Sequence, residues 1–108
     1  MERLPMEHAV TFSIKDGKFV YPQKMECLCV LGGDTIKWAL RNRSPWGIVI
    51  KAPDSPLNWS FKIALDGTAI IATVRRNAVP GIYRYGIGAF DGRTLLFDDP
   101  DIIVKRPK

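Results

Sequence analysis

Two cysteines and one histidine are the side chains of this sequence best suited to binding a soft metal ion. Cys27 and Cys29 lie two residues apart, so on a β-strand both thiols project from the same face. Thiolates favour Cu(I) or zinc, and the only histidine, His8, could join them. However, the spacing departs from the Cys-x-x-Cys pattern of zinc sites, and His8 is distant in sequence. We therefore expect inert strand cysteines, with a thiol-based Cu(I) or zinc carrier as an alternative.

A cluster of carboxylates precedes the C-terminal segment, where Asp98, Asp99 and Asp101 surround a proline. Neighbouring carboxylates can bind Ca²⁺ or act as an acid and base pair. Aspartate is also common in solvated turns, which the proline favours. The sequence contains no Gly-x-Ser-x-Gly motif, and His8 lies near the N-terminus, where chain ends fray. We therefore expect a turn at the carboxylates, a surface position for His8, and no enzymatic activity.

The composition is that of a folded and basic chain. Its 108 residues are 46% hydrophobic and 25% charged, which is typical of one globular domain over residues 1–108. The formal net charge of +5 permits attraction to polyanions, so a basic nucleic-acid-binding β module is a second alternative. The basic residues are scattered, however, and this disfavours a nucleic-acid partner.

Neither a membrane span nor an N-terminal targeting segment is visible in the sequence. No apolar run approaches the ~18 residues of a transmembrane helix. The N-terminus has no apolar segment behind a basic start. This predicts a cytoplasmic location, or a periplasmic or secreted one if a signal peptide has been removed.

Nine glycines and eight prolines divide the chain into segments too short for long helices. Apolar residues alternate with other residues in several segments, as they do in strands with one buried face. Three alternating sets are predicted to face the core: Val10, Phe12 and Ile14; Ile36, Trp38 and Leu40; Phe61, Ile63 and Leu65. Three Asp-Gly pairs are typical of type I′ hairpin turns: Asp16-Gly17, Asp66-Gly67 and Asp91-Gly92.

These patterns predict an all-β fold. Strands are expected near residues 8–15, 18–21, 25–31, 34–41, 47–51, 59–65, 68–75, 81–88 and 101–106. Seven to nine short strands with frequent turns favour a two-sheet Greek-key β-sandwich.

Two segments, residues 33–42 and residues 80–87, resemble the cupredoxin family. Residues 33–42, Gly-Asp-Thr-Ile-Lys-Trp-Ala-Leu-Arg-Asn, are similar to its central strand that follows a Gly-Asp turn. Residues 80–87, Pro-Gly-Ile-Tyr-Arg-Tyr-Gly-Ile, resemble its Pro-Gly-x-Tyr strand, and residues 101–104 resemble its closing strand. Tyr83 in this motif is a candidate for a tyrosine corner, in which the hydroxyl binds upstream backbone. The resemblance covers roughly residues 11–104 and implies a cupredoxin-like sandwich.

The resemblance also implies where copper ligands would lie, and none is present. Electron-carrying cupredoxins bind copper through two histidines, a cysteine and a weak axial methionine. The matching positions are Trp46 and Phe90 for the histidines, Ile87 for the cysteine, and a position near Leu95, in an expected loop, for the methionine. All four are large and apolar, so we expect a pocket filled with hydrocarbon and no cofactor. Trp46 and Phe90 are predicted to plug it.

The same topology places two candidate contact surfaces. Arg43, Arg93, Trp46 and Phe90 are expected at one end, where aromatic rings and arginines could stack a base and hold a phosphate. Phasing residues 25–31 against the family pattern sends Leu28 and Val30 inward. Cys27, Cys29 and Leu31 then form an outer apolar face, for which we hypothesise a homodimer or partner interface. A covering loop or N-terminal arm is the alternative.

The sequence thus predicts a copper-free, cupredoxin-like domain with a binding or assembly role and no enzymatic activity. Its expected partner is another protein or a second copy of itself. The nucleic-acid-binding module and the thiol-based carrier through Cys27 and Cys29 remain the alternatives.

Overall fold

Ten β-strands form this chain in the computed structural model, which describes residues 4–21, 27–65 and 68–106. No helix occurs among these residues. The strands are β1 (Glu7–Lys15), β2 (Lys18–Val20), β3 (Cys27–Val30), β4 (Thr35–Leu40), β5 (Trp46–Ile50), β6 (Phe61–Ala64), β7 (Ile70–Thr73), β8 (Gly81–Phe90), β9 (Leu95–Asp98) and β10 (Asp101–Val104). The all-β prediction is confirmed, with a strand, β9, that the sequence patterns did not indicate.

The strands are arranged in two mixed sheets that share one hydrophobic core. The first sheet has the order β2-β1-β4-β7, with β1 and β4 parallel. The second has the order β3-β10-β8-β5-β6, with β3 and β10 parallel. On one side of β8, β10 pairs with its first half and β9 with its second half. The long strand β8 is therefore the centre of the second sheet.

Aromatic contacts join the two sheets across the core. The Trp38 indole of β4 meets the Tyr85 ring of β8 edge to face, with centroids 5.6 Å apart. Its Nε1 donates a hydrogen bond of 3.2 Å to the Tyr85 hydroxyl, which pairs two buried polar groups. Phe12 of β1 packs edge to face on Trp46 of β5 at 5.3 Å.

Strand β6 carries its large apolar side chains on the outside. The sets containing Phe12 and Trp38 face the core as predicted. The third set does not, because Phe61, Ile63 and Leu65 are 65%, 64% and 77% exposed. Ala64, of the opposite parity, is buried instead. Alternation along β6 separates its residues into two faces, but it does not indicate which face the rest of the protein covers. For β6, the last strand of its sheet, the covered face is the one that carries Ala64.

The turns agree in part with the Asp-Gly pattern. Asp16 and Gly17 both have positive φ, at 54° and 73°, as a type I′ turn requires. In the Asp91-Gly92 pair only Gly92 has a positive φ, and Asp91 begins a four-residue turn between β8 and β9. The type I′ prediction is wrong there, because the Asp91 carboxylate accepts the backbone N–H groups of Arg93 and Thr94 and stabilises a longer turn. The pair at 66–67 lies outside the described residues.

The tyrosine corner is confirmed. The Tyr83 hydroxyl donates a hydrogen bond to the carbonyl of Val79, four residues upstream. This bond fixes the chain where it enters β8.

Candidate functional site

The position that resembles a copper-binding histidine holds a buried indole. Trp46 begins β5, packs on Phe12 and is 2% exposed. Its Nε1 donates to the carbonyl oxygen of Thr68 at 3.1 Å. An indole N–H is a donor only, and this one is already used. Trp46 therefore fills the core as predicted and offers no ligand atom.

The position that resembles the copper-binding cysteine is also hydrocarbon. Ile87 of β8 is 0% exposed and pairs with Ile48 of β5, which is buried as well. Two facing isoleucines leave no donor atom for a metal.

Phe90, by contrast, lies outside the core. Strand β8 continues through Phe90, and β9 pairs with it, so that Phe90 faces Leu95. Side chains three residues apart on a continuous strand project from opposite sides. Phe90 is 40% exposed, so the prediction that Trp46 and Phe90 together plug one pocket is wrong for Phe90. The segment expected as a loop near Leu95 is a β-hairpin.

The residues at the four matching positions do not fit a copper ion. Two are buried without a free donor atom, and the other two, Phe90 and Leu95, are hydrocarbon on a hairpin. Within residues 4–21, 27–65 and 68–106, no group of three or more His, Cys, Asp or Glu side chains is placed to hold a metal.

The arginines predicted at this end are on the surface. The Phe90 N–H donates to the carbonyl of Pro45 at 3.1 Å, which joins the segment after β4 to the β8–β9 turn. Arg43 lies in that segment and Arg93 in the turn, and both are exposed. The elements that carry Trp46, Phe90, Arg43 and Arg93 therefore meet, although Trp46 is buried and the other three are exposed. A ligand for this end stays a prediction.

Strand β3 has the predicted phase. Leu28 and Val30 are buried, and Cys29 is an exposed free thiol. Leu31 is half-buried. The side chain of Cys27 lies outside the described residues, so a shared site of Cys27 and Cys29 and an interface at Cys27, Cys29 and Leu31 stay predictions.

His8 belongs to the fold and not to a frayed end. It lies in β1, beside β4, and its Nε2 is 2.8 Å from Oδ2 of Asp34. Asp34 is 1% exposed and also accepts the backbone N–H groups of Met6 and Leu31. The expected surface position is therefore wrong. Sequence reasoning missed the pair because its members are separated by 26 residues.

The carboxylates at 98–101 are divided among different partners. Asp98 accepts the Tyr21 hydroxyl at 2.6 Å, Asp99 pairs with Lys51, and Asp101 lies 3.4 Å from Nε of Arg84. Separate pairings oppose a shared cation, because each carboxylate is already directed to its own donor.

An apolar groove on the outer face of the second sheet was not predicted. Its floor is made of glycine: Gly88 of β8 and Gly47 of β5 are paired neighbours, with Phe97 and Ile63 as the next residues on either side. The next set of laterally paired residues on these strands is Gly86 of β8, Val49 of β5 and Phe61 of β6. We call this groove, of about 580 Å³, the glycine trough.

The glycines of the trough have a steric reason. A Cβ at Gly88 would lie 3.2 Å from Cε1 of Phe97, and one at Gly47 would lie 3.0 Å from the Lys62 carbonyl oxygen. The bare floor allows Phe97 to lie against the sheet while staying 75% exposed. The recurrence of glycine at 47, 86 and 88, amid buried residues of opposite parity, was the available sequence signal.

Comparisons with known proteins support the fold. No family model and no curated protein matches the chain. Among solved structures, it is similar to a reduced amicyanin variant at 19% identity and a TM-score of 0.53, covering 90% of this chain and 82% of that one. A Cu(I) amicyanin variant has the same identity and coverage with a TM-score of 0.54.

A pseudoazurin from Sinorhizobium meliloti gives a similar result. It is 21% identical with a TM-score of 0.54, and the match covers 94% of this chain and 76% of the pseudoazurin. The chain therefore has the cupredoxin-like fold, without the residues that would ligate copper at the matching positions. In the part of the chain that the structure describes, no helix is long and apolar enough to cross a membrane.

Proposed function

We propose that this chain is a copper-free, cupredoxin-like domain that acts by binding or assembly and carries out no enzymatic reaction. The observation that supports it best is Ile87, which occupies the cysteine position at 0% exposure within the core. A copper thiolate site needs a sulfur at this point and two imidazoles around it. Here the neighbouring side chains are an indole that is already hydrogen-bonded and a phenyl ring that faces outward.

The exposed apolar side chains support a role in contact with another surface. Phe61, Ile63 and Phe97 are all more than half exposed on one face. A contiguous exposed apolar patch of this kind usually marks an interaction site. The proposed work of the domain is therefore done on its outer surface and not in the region where cupredoxins hold a metal.

A copper titration tests the copper-free part. Purified protein is titrated with Cu(II) and with Cu(I), and read by absorbance and native mass spectrometry, with an amicyanin as the positive control. We expect no intense thiolate charge-transfer band. Stoichiometric copper that is retained when both cysteines, Cys27 and Cys29, are changed to serine would overturn the proposal, because other side chains would then hold the metal.

A thiol-based Cu(I) or zinc carrier is a second candidate, supported by the exposed free thiol of Cys29. It predicts metal binding without the intense band. The Cys29→Ser and Cys27→Ser variants would each lose that binding if the two thiols act together, whereas His8→Ala would report on the histidine.

The cytoplasmic location stays a prediction.

A further inference from the structure

The outer face of the second sheet is apolar over an area that one chain leaves uncovered. The exposed fractions of Phe61, Phe90 and Phe97 are 65%, 40% and 75%. At 150–250 Å² for each buried ring, these three expose roughly 300–450 Å². The exposed aliphatic side chains of the same face, Val49, Ile63, Ile82 and Leu95, add a comparable area. The sum approaches the ~800 Å² that each partner contributes to an interface of standard size.

Four charged side chains of this face form two ion pairs within the chain, whereas Lys62, which also lines the glycine trough, is exposed outside these pairs. Lys51 pairs with Asp99 at one end of the glycine trough, and Arg84 pairs with Asp101 nearby. The whole chain carries +5, so two copies repel each other over most orientations. A face whose ion pairs are internally balanced is one through which two copies can approach.

The relief of the face is complementary to itself. It presents an exposed ring, Phe97, which lies over Gly88, beside the part of the floor formed by Gly47. A two-fold interface needs a projection and a matching hollow on the same surface, because each copy supplies both. The exposed Cys29 of β3 lies on this face as well, opposite Ile103, which pairs with Ile82.

We propose that two copies of this chain associate through the outer face of the second sheet, with Phe97 of each copy seated over the glycine trough of the other. This rests on the proposed assembly function and names the partner as a second copy. It replaces the β3 surface alone by a face that extends from β3 to β6.

Sedimentation velocity over a wide protein concentration range tests the proposal, with native mass spectrometry as an independent measure. We expect a reversible dimer. Ile63→Lys and Phe97→Ala should each weaken it by about 30-fold or more, the loss typical of a truncated interface hot spot. The matched control is Ile71→Lys, because Ile71 is 52% exposed on β7 of the other sheet. It should leave the dimer intact.

The outcomes separate the alternatives. A monomer at all concentrations would overturn the proposal. This holds even if a different protein is found to bind the face. A dimer that persists in both Ile63→Lys and Phe97→Ala, or that is lost equally in Ile71→Lys, would overturn it too. Circular dichroism and thermal melting of each variant verify folding. The copper titration is independent of this test, so failure of the dimer and failure of the copper-free function are distinguishable.

Discussion

Ile87 and Phe90 lie three residues apart on one uninterrupted strand and project to opposite sides of the second sheet. Ile87 is 0% exposed in the core, whereas Phe90 is 40% exposed on the outer face beside Leu95. In the cupredoxin pattern the matching positions hold a cysteine and a histidine that share one metal. The pairing of β9 with β8 therefore separates two positions that copper would need together.

Restoring the ligand types should consequently fail to restore a copper site. We expect the triple variant Trp46→His, Ile87→Cys and Phe90→His to show no intense Cu(II)–thiolate absorbance, because the imidazole at position 90 faces away from the thiol at 87. Absorbance spectra during Cu(II) titration measure this, with Trp46→His/Phe90→His as the control that lacks the thiol. An intense band in the triple variant alone would show that β8 and β9 separate under metal binding, contrary to our interpretation.

Tyr85→Phe tests the buried hydrogen bond that links the sheets. Removing the hydroxyl leaves the Trp38 Nε1 without that acceptor in the core. We expect a loss of about 1–3 kcal/mol in the free energy of unfolding, the cost of an unsatisfied buried polar group. Urea denaturation followed by tryptophan fluorescence measures it. A double-mutant cycle with Trp38→Phe isolates the pair, and a coupling energy near zero would contradict its importance.

Asp34 should matter more to stability than its partner His8. The Asp34 carboxylate accepts the N–H groups of Met6 and Leu31 and contacts His8, so Asp34→Ala leaves several donors unpaired. We expect Asp34→Ala to cost about 1–3 kcal/mol or more in the free energy of unfolding, the cost of leaving buried donors without an acceptor. His8→Ala should cost clearly less, because two backbone bonds to Asp34 remain. Equal losses in urea denaturation would disagree with this ranking.

The β8–β9 turn should weaken in acid. The backbone N–H groups of Thr94 and Arg93 stabilise the charged Asp91 carboxylate and hold its pKa below its usual value. A depressed folded pKa gives a stabilisation that is present above the unfolded pKa of about 3.9 and lost as pH falls through the lower folded pKa. Asp91→Ala should therefore lower the melting temperature at neutral pH.

Melting temperatures measured at acid pH show whether the charge of Asp91 is the cause. The difference between wild type and Asp91→Ala should shrink as pH falls below the unfolded pKa and through the lowered folded pKa of Asp91. Asp91→Asn is the control, since its amide oxygen can still accept both backbone bonds but does not titrate over this range. A difference that stays constant with pH would mean that the charge of Asp91 does not stabilise the turn.

Local patterns in the sequence determined the strand class, most strand positions and the phase of β1 and β4, whereas the phase of β3 came from the cupredoxin resemblance. Alternation and Asp-Gly turns extend over only a few residues, so they can be recognised without knowing which strands become neighbours in the sheet. The resemblance to cupredoxins identified the fold and located the ligand positions. It also suggested a loop near Leu95, where the structure has β9.

Which side of each strand is covered depends on how the sheets pack in three dimensions. Phe61, Ile63 and Leu65 alternate as core residues do, yet none of the described residues forms a second layer on their side of β6, and they stay exposed. The glycine trough is assembled from β5, β6, β8 and β9, and the His8–Asp34 pair joins β1 to the turn that precedes β4. Such features depend on which segments become neighbours, and strand periodicity carries no information about that pairing.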